Sequence, residues 1–158
     1  MTEELNPIGK QILSIAFGVG TIQGIEKLDA NGDDFYVVEF ANTKTKNYFP
    51  INENRKMRFL STKDYFMENL EKLKAKAESK KFQNKKERQQ YFASCLSSCD
   101  LGQVVNLIHE ISSIDDLITF EKEKFQKLVK VLELEASALY EMGPIKSKEF
   151  ISDILESA

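Results

Sequence analysis

The sequence predicts an α+β protein, a small β unit followed by a helical bundle, and three observations carry that expectation. Over residues 9–60 short apolar runs alternate with turn residues; at Ser61 the apolar spacing lengthens to that of a helix; and a basic strip divides two acidic segments. The 158 residues suffice for about one average domain or two small ones. An apolar fraction of 42% and a charged fraction of 30% fit a folded globular chain and not a disordered, fibrous or membrane one. No stretch approaches the roughly 18 apolar residues of a membrane helix, and Met1 to Pro7 is polar, unlike a secretory signal, so a cytoplasmic protein with no membrane partner is expected.

The β unit is read from Ile12, Leu13 and Ile15, then Val19, Ile22 and Ile25, then Phe35 to Phe40, then Tyr48 to Ile51. Asp29 to Asp33, containing Asn31 and Gly32, is a hairpin turn, since both residues tolerate positive φ. Gly18, Gly20 and Gly24 fit bends, bulges or close backbone approach. They match neither phosphate-loop pattern, so nucleotide binding is not expected.

From Ser61 onward, Tyr65, Phe66, Asn69, Leu70, Leu73 and Ala77 lie near one helix face, with Ser61 or Thr62 as the N-cap. Tyr91, Phe92, Cys95 and Leu96 form a second stripe; Ser98 to Asp100 is a break, with Asp100 capping a helix through Leu101, Val104, Val105, Ile108 and Ile111. Thr119 is placed as the cap of a long helix through Phe125, Leu128, Leu132 and Leu139, ended by Gly143 and Pro144. Phe150, Ile151, Ile154 and Leu155 mark the last helix. The layout is a barrel-like module, a helical hinge and a bundle of about four helices.

Catalysis finds no constellation. His109, the one histidine, lacks a nucleophile or orienting partner nearby in sequence. Cys95 and Cys99 at i and i+4 make a poor metal site by themselves, and the carboxylates are scattered, so no enzyme, metal or cofactor is expected. Charge is more informative. The net −3 hides a segment, 72–88, holding eight basic against two acidic residues, followed by 110–158 with six basic against eleven acidic. Such a strip either contacts nucleic-acid phosphates, with Phe82 as an aromatic wedge, or is a solvated lysine-rich face with Phe82 packed inward.

Read in order, GKQILSIAFGVGTIQGIEKL, a hairpin, DFYVVEF, NYFP and KMRFL followed by a helix resemble the CarD/CdnL/TRCF family of bacterial RNA polymerase-interacting proteins. Its strand motifs map onto Gly9, Gly18 to Ile25, Tyr36, Pro50 and Arg58, and RQQYFASCLSSCDLGQVVNLIHEI is similar to the helix, break and helix of CarD. The resemblance implies a Tudor-like β-barrel over 1–61 that interacts with RNA polymerase, a helix and basic linker over 62–81, and an all-α domain over 82–158. It implies a monomeric transcription regulator, docked on the RNA polymerase β subunit and touching promoter DNA to modulate open-complex stability, without catalysis.

Within that reading the strand Lys46 to Phe49 is the docking edge. Leu28, Lys46, Tyr48 and Phe49 are the polymerase-binding candidates, and Lys80, Lys81, Phe82, Lys85, Lys86 and Arg88 the DNA-binding ones. Two positions that are basic in actinobacterial relatives fall at about Leu28 and Tyr48. The family's groove-wedging tryptophan falls near Lys85, and this chain has no Trp. An adaptor of the same fold that has lost DNA binding therefore stands beside the regulator.

Overall fold

A computed structural model of the chain describes residues 6–30, 32–40, 43–52, 56–75, 81–95 and 100–156. The chain divides into two compact units, with the boundary between Leu60 and Ser61.

In the first unit β1 (Gln11–Ser14), β2 (Gly18–Lys27), β3 (Asp34–Phe40), β4 (Thr45–Pro50) and β5 (Met57–Phe59) form an antiparallel sheet in the order β4-β3-β2-β1-β5. Ile12, Ile22, Val38, Phe40, Phe49 and Met57 make one buried cluster, with Tyr36 half-buried against it. The expected closed barrel is not formed: among the described residues β4 and β5 do not pair. The three residues of β5 offer few backbone groups to the six of β4. Both outer strands still feed one core, through Phe49 and Met57.

The glycines act through the backbone. Gly18 starts β2 at φ +83°, and the ladder slips between Ile22 and Gly24, a bulge. Gly20 pairs with Phe40, and a Cβ there would lie 2.6 Å from Val38 Cγ1 and 2.8 Å from Phe40 Cδ1. In the β2–β3 turn the Gly32 N–H donates to the Asp29 carbonyl at 3.1 Å.

In the second unit α1 (Lys63–Glu71) runs into a 3₁₀ turn (Lys72–Lys74), followed by α2 (Lys85–Cys95), α3 (Leu101–Ser112), α4 (Thr119–Tyr140) and α5 (Pro144–Glu156). Thr62 Oγ1 accepts from Tyr65 N–H at 3.2 Å and Asp100 Oδ2 from Gln103 N–H at 3.2 Å, the two expected caps. Phe66 and Leu70 of α1 and Leu73 of the turn are buried among Phe92, Val104, Ile108, Leu128, Leu132 and Ile151. The first part of the segment expected as helix and linker is thus built into the bundle core.

The long helix starts and ends differently from expectation. Thr119 is its first residue instead of its cap, and the Glu121 carboxylate accepts from the Ile118 N–H at 3.1 Å. At the other end Glu141, not Gly143, takes the left-handed conformation at φ 52°, and Met142 N–H donates to the Ser137 carbonyl at 3.1 Å.

Candidate interaction edge of the sheet

β4 borders β3 on one side and, among the described residues, no strand on the other. Its register with β3 runs from Phe35↔Pro50 through Val37↔Tyr48 to Phe40↔Thr45. The Ile51 N–H donates to the Asp34 carbonyl at 3.1 Å, which fixes the phase of the ladder. Antiparallel pairs alternate between hydrogen-bonded and open, so Thr45, Asn47 and Phe49 bond inward to β3, and Lys46, Tyr48 and Pro50 turn their backbone groups outward. Pro50 agrees with that phase, because a residue without an N–H fits an outward position. The edge therefore offers N–H and C=O groups of Lys46 and Tyr48 and a C=O of Pro50.

Side chains alternate along the same strand. Tyr48 is 43% exposed and Lys46 is exposed, so both are available to a partner. Phe49 is not: it is 6% exposed, with its ring 6.1 Å from that of Phe40 in the core. It positions the edge and offers no side-chain contact. Leu28, 56% exposed, follows the last residue of β2 at the Pro50 end of the sheet, away from Lys46. The structure thus brings Lys46 and Tyr48 onto one outward row and leaves Leu28 apart. The outward backbone row is a feature that residue-type reasoning missed; Pro50 was its one signal.

The basic-strip candidates divide in the same way. Lys80 lies outside the described residues. Lys81, Lys85 and Lys86 are exposed, with Lys85 Nζ 3.7 Å from Asp116. Phe82 is half-buried, its ring 5.5 Å from Tyr91 and 5.8 Å from Phe92, so it packs into the bundle instead of projecting as a wedge.

Arg88 is 7% exposed and forks onto Glu121, with Nε to Oε2 and Nη2 to Oε1 both 2.6 Å; Nη1 donates to Asp116 Oδ1 at 2.9 Å. Its guanidinium is occupied, because a buried charge needs a matched partner, and Glu121 is 1% exposed. The Arg88 hydrogen bond holds the Asp116 carboxyl below the usual carboxylate range. Arg88 is therefore corrected from a phosphate contact to an internal tie between α2 and the start of α4.

The other residues weighed for chemistry have structural settings. His109 Nε2 lies 2.8 Å from the Ala75 carbonyl, and Cys95 is a half-buried free thiol. Cys99 lies outside the described residues. Among the described residues no helix is long and apolar enough to cross a membrane.

Comparison with known proteins bears on the first unit. Residues 8–61 match the family model of the CarD-like/TRCF RID domain, covering all five strands. No curated protein matches the chain. The five-stranded domain matched from Ile8 to Ser61, in which β4 has no outer neighbour among the described residues, belongs to the CarD-like/TRCF RID family of RNA polymerase-interacting domains.

Proposed function

We propose that the chain is a CarD-like, non-catalytic transcription regulator whose Tudor-like first unit docks on the RNA polymerase β subunit by adding β4 to a strand of the partner. The observation that carries this reading is the outward row of Lys46 and Tyr48 on an edge within the matched domain. Strand addition draws affinity from main-chain hydrogen bonds and specificity from alternate side chains, here Lys46 and Tyr48. Lys46 and Pro50 on the same edge disfavour pairing between copies, which supports a monomer.

Exposed Lys81, Lys85 and Lys86 supply a phosphate-contacting surface for promoter DNA once the polymerase holds the chain nearby. That contact is weak by itself and needs no wedge. The adaptor that has lost DNA binding is the second reading, favoured by the inward packing of Phe82 and Arg88.

Capture of core RNA polymerase by the full chain, compared with Tyr48→Pro, tests the docking. That substitution removes one outward N–H and leaves the inward ladder intact. Loss of capture with an unchanged fold is expected; full retention by Tyr48→Pro, or no capture by the unaltered chain, overturns the proposal.

A further inference from the structure

On the face of the sheet that holds the core, one cross-strand row runs Ile25, Tyr36, Phe49, from β2 through β3 to β4. Phe59 of β5 faces the same core, because it pairs with the buried Ile12, and its ring rests against Tyr36. Within the core cluster Ile12, Ile22, Val38 and Phe40 are at most 1% exposed, whereas Phe49 and Met57, the members from the two outer strands, keep 6% each. What exposure this core retains therefore lies on its outer strands, and Phe59, itself well exposed, extends it into an apolar surface.

The backbone of β5 is less available than that of β4. The Leu60 N–H donates to the Gln11 carbonyl at 3.4 Å, so Phe59 turns its own N–H and C=O away from β1. Arg58 Nη1 already donates to that Phe59 carbonyl, at 3.3 Å. This leaves β5 to meet a segment lying on β4 through the Phe59 side chain. A strand laid on β4 also inherits its alternation. Phe49 bonds inward to β3, so the residue opposite it forms an open pair with it and points its side chain to the core face, prolonging the row. That position stands one strand spacing from Phe49 and two, roughly 10 Å, from Tyr36, against which Phe59 rests. A leucine, isoleucine or phenylalanine spans the interval to the Phe59 ring and an alanine does not, while a charged group would lose water against Phe49 and Phe59 with no partner.

We propose, resting on the reading that β4 takes a strand of the polymerase, that this strand carries a large aliphatic or aromatic residue opposite Phe49, and that its side chain packs on Phe59. The main chain of β4 supplies the register, and the row ending at Phe49 selects the side chain.

Capture of core RNA polymerase by the full chain tests this. Phe59→Asp should weaken capture about tenfold and Phe59→Leu no more than about threefold. Ile25→Asp, at a similarly exposed apolar position but three strand spacings from the segment, roughly 15 Å, should leave it unchanged. Photocrosslinking with p-benzoylphenylalanine in place of Phe59 should mark the β subunit on a stretch that holds such a residue, a readout that stands even if Phe59→Asp loosens the fold. Capture by Phe59→Asp at unaltered strength, where Tyr48→Pro abolishes it, overturns the proposal and leaves strand docking in place. Equal losses from Ile25→Asp and Phe59→Asp, a crosslink on a stretch with no large apolar residue, or no crosslink while capture persists overturn it likewise. No capture by the unaltered chain removes the docking itself, and the proposal with it.

Discussion

Tyr36 on β3 and Phe59 on β5 meet edge to face, ring centroids 6.0 Å apart and planes at 80°, although β2 and β1 stand between their strands in the sheet. Such a contact requires the sheet to curl over its own core. The curl brings side chains together without pairing β4 with β5, so among the described residues the outward backbone row of β4 has no strand beside it. Lys10 adds to the same corner, with Nζ 5.9 Å from the Phe59 ring.

Removing this side-chain closure should loosen the first unit without unfolding it. Phe59 is 41% exposed, so Phe59→Ala is expected to cost about 1–2 kcal/mol, below the 3–5 typical of a fully buried ring. Urea unfolding of the variant measures it. A loss as large as that of a core Phe would place the ring deeper than its exposure indicates.

The glycines give a sharper contrast. Gly20→Ala drives a methyl into Val38 and Phe40, two side chains fixed in the core, and should destabilise by roughly 1–3 kcal/mol. At Gly24 a Cβ meets nothing within 4 Å, so Gly24→Ala should stay within about 0.5 kcal/mol of the unaltered protein. Thermal or urea unfolding of the pair separates close approach from conformational freedom as the reason for each glycine.

Local pattern made most of the elements legible. A run of aromatic and β-branched residues marked β3, and Thr62 and Asp100 announced their helices because a cap acts within three residues. What was not legible depends on residues far apart in sequence. Arg88 reads as one more cation of a basic strip until Glu121, 33 residues later, is found against it. Phe82 reads either as a wedge or as an inward-packed ring until the tilted rings of Tyr91 and Phe92 are found against it. The open sheet and the phase of β4 depend on strand register, which composition does not encode. For the candidate edge, the strand was readable, and Phe49 was misread because alternation alone leaves open which face is the core.

Arg88→Ala should therefore act on stability. It strands Glu121, 1% exposed, without its partner, and breaking a buried pair typically costs 3–5 kcal/mol. Lys86→Ala, on the same helix but exposed, should leave stability unchanged within about 0.5 kcal/mol. The pH response follows from Asp116. Arg88 lowers its pKa in the folded chain, so its contribution is fully present above the ordinary value of 3.8 and is lost as pH falls below that through the lower folded value. Asp116→Asn should flatten the stability profile in that acid window; an identical profile would mean the contact with Arg88 carries no linkage.

If the exposed lysines meet promoter DNA, salt reports it. Each phosphate contact contributes about 0.9 to the slope of log affinity against log salt, so Lys81→Ala with Lys86→Ala should reduce the slope by about two and weaken all sequences alike. Arg88→Lys should leave that slope unchanged, since Arg88 faces Glu121 and Asp116. A filter-binding series with the polymerase complex across salt concentrations measures both. An unchanged slope in the double variant would favour the adaptor.

The phase assigned to β4 can be checked without any partner. Asn47 directs its N–H toward β3, so Asn47→Pro should remove a ladder bond, clash with the neighbouring strand and cost about 3 kcal/mol or more. Tyr48 directs its N–H outward, so Tyr48→Pro should cost little, about 1 kcal/mol or less, even though the two positions are adjacent on one strand. Denaturant unfolding of the two single variants decides it. If Tyr48→Pro proves the costlier change, the inward and outward sets are exchanged, and the row that would meet the polymerase becomes Thr45, Asn47 and Phe49, whose last side chain is already committed to the core.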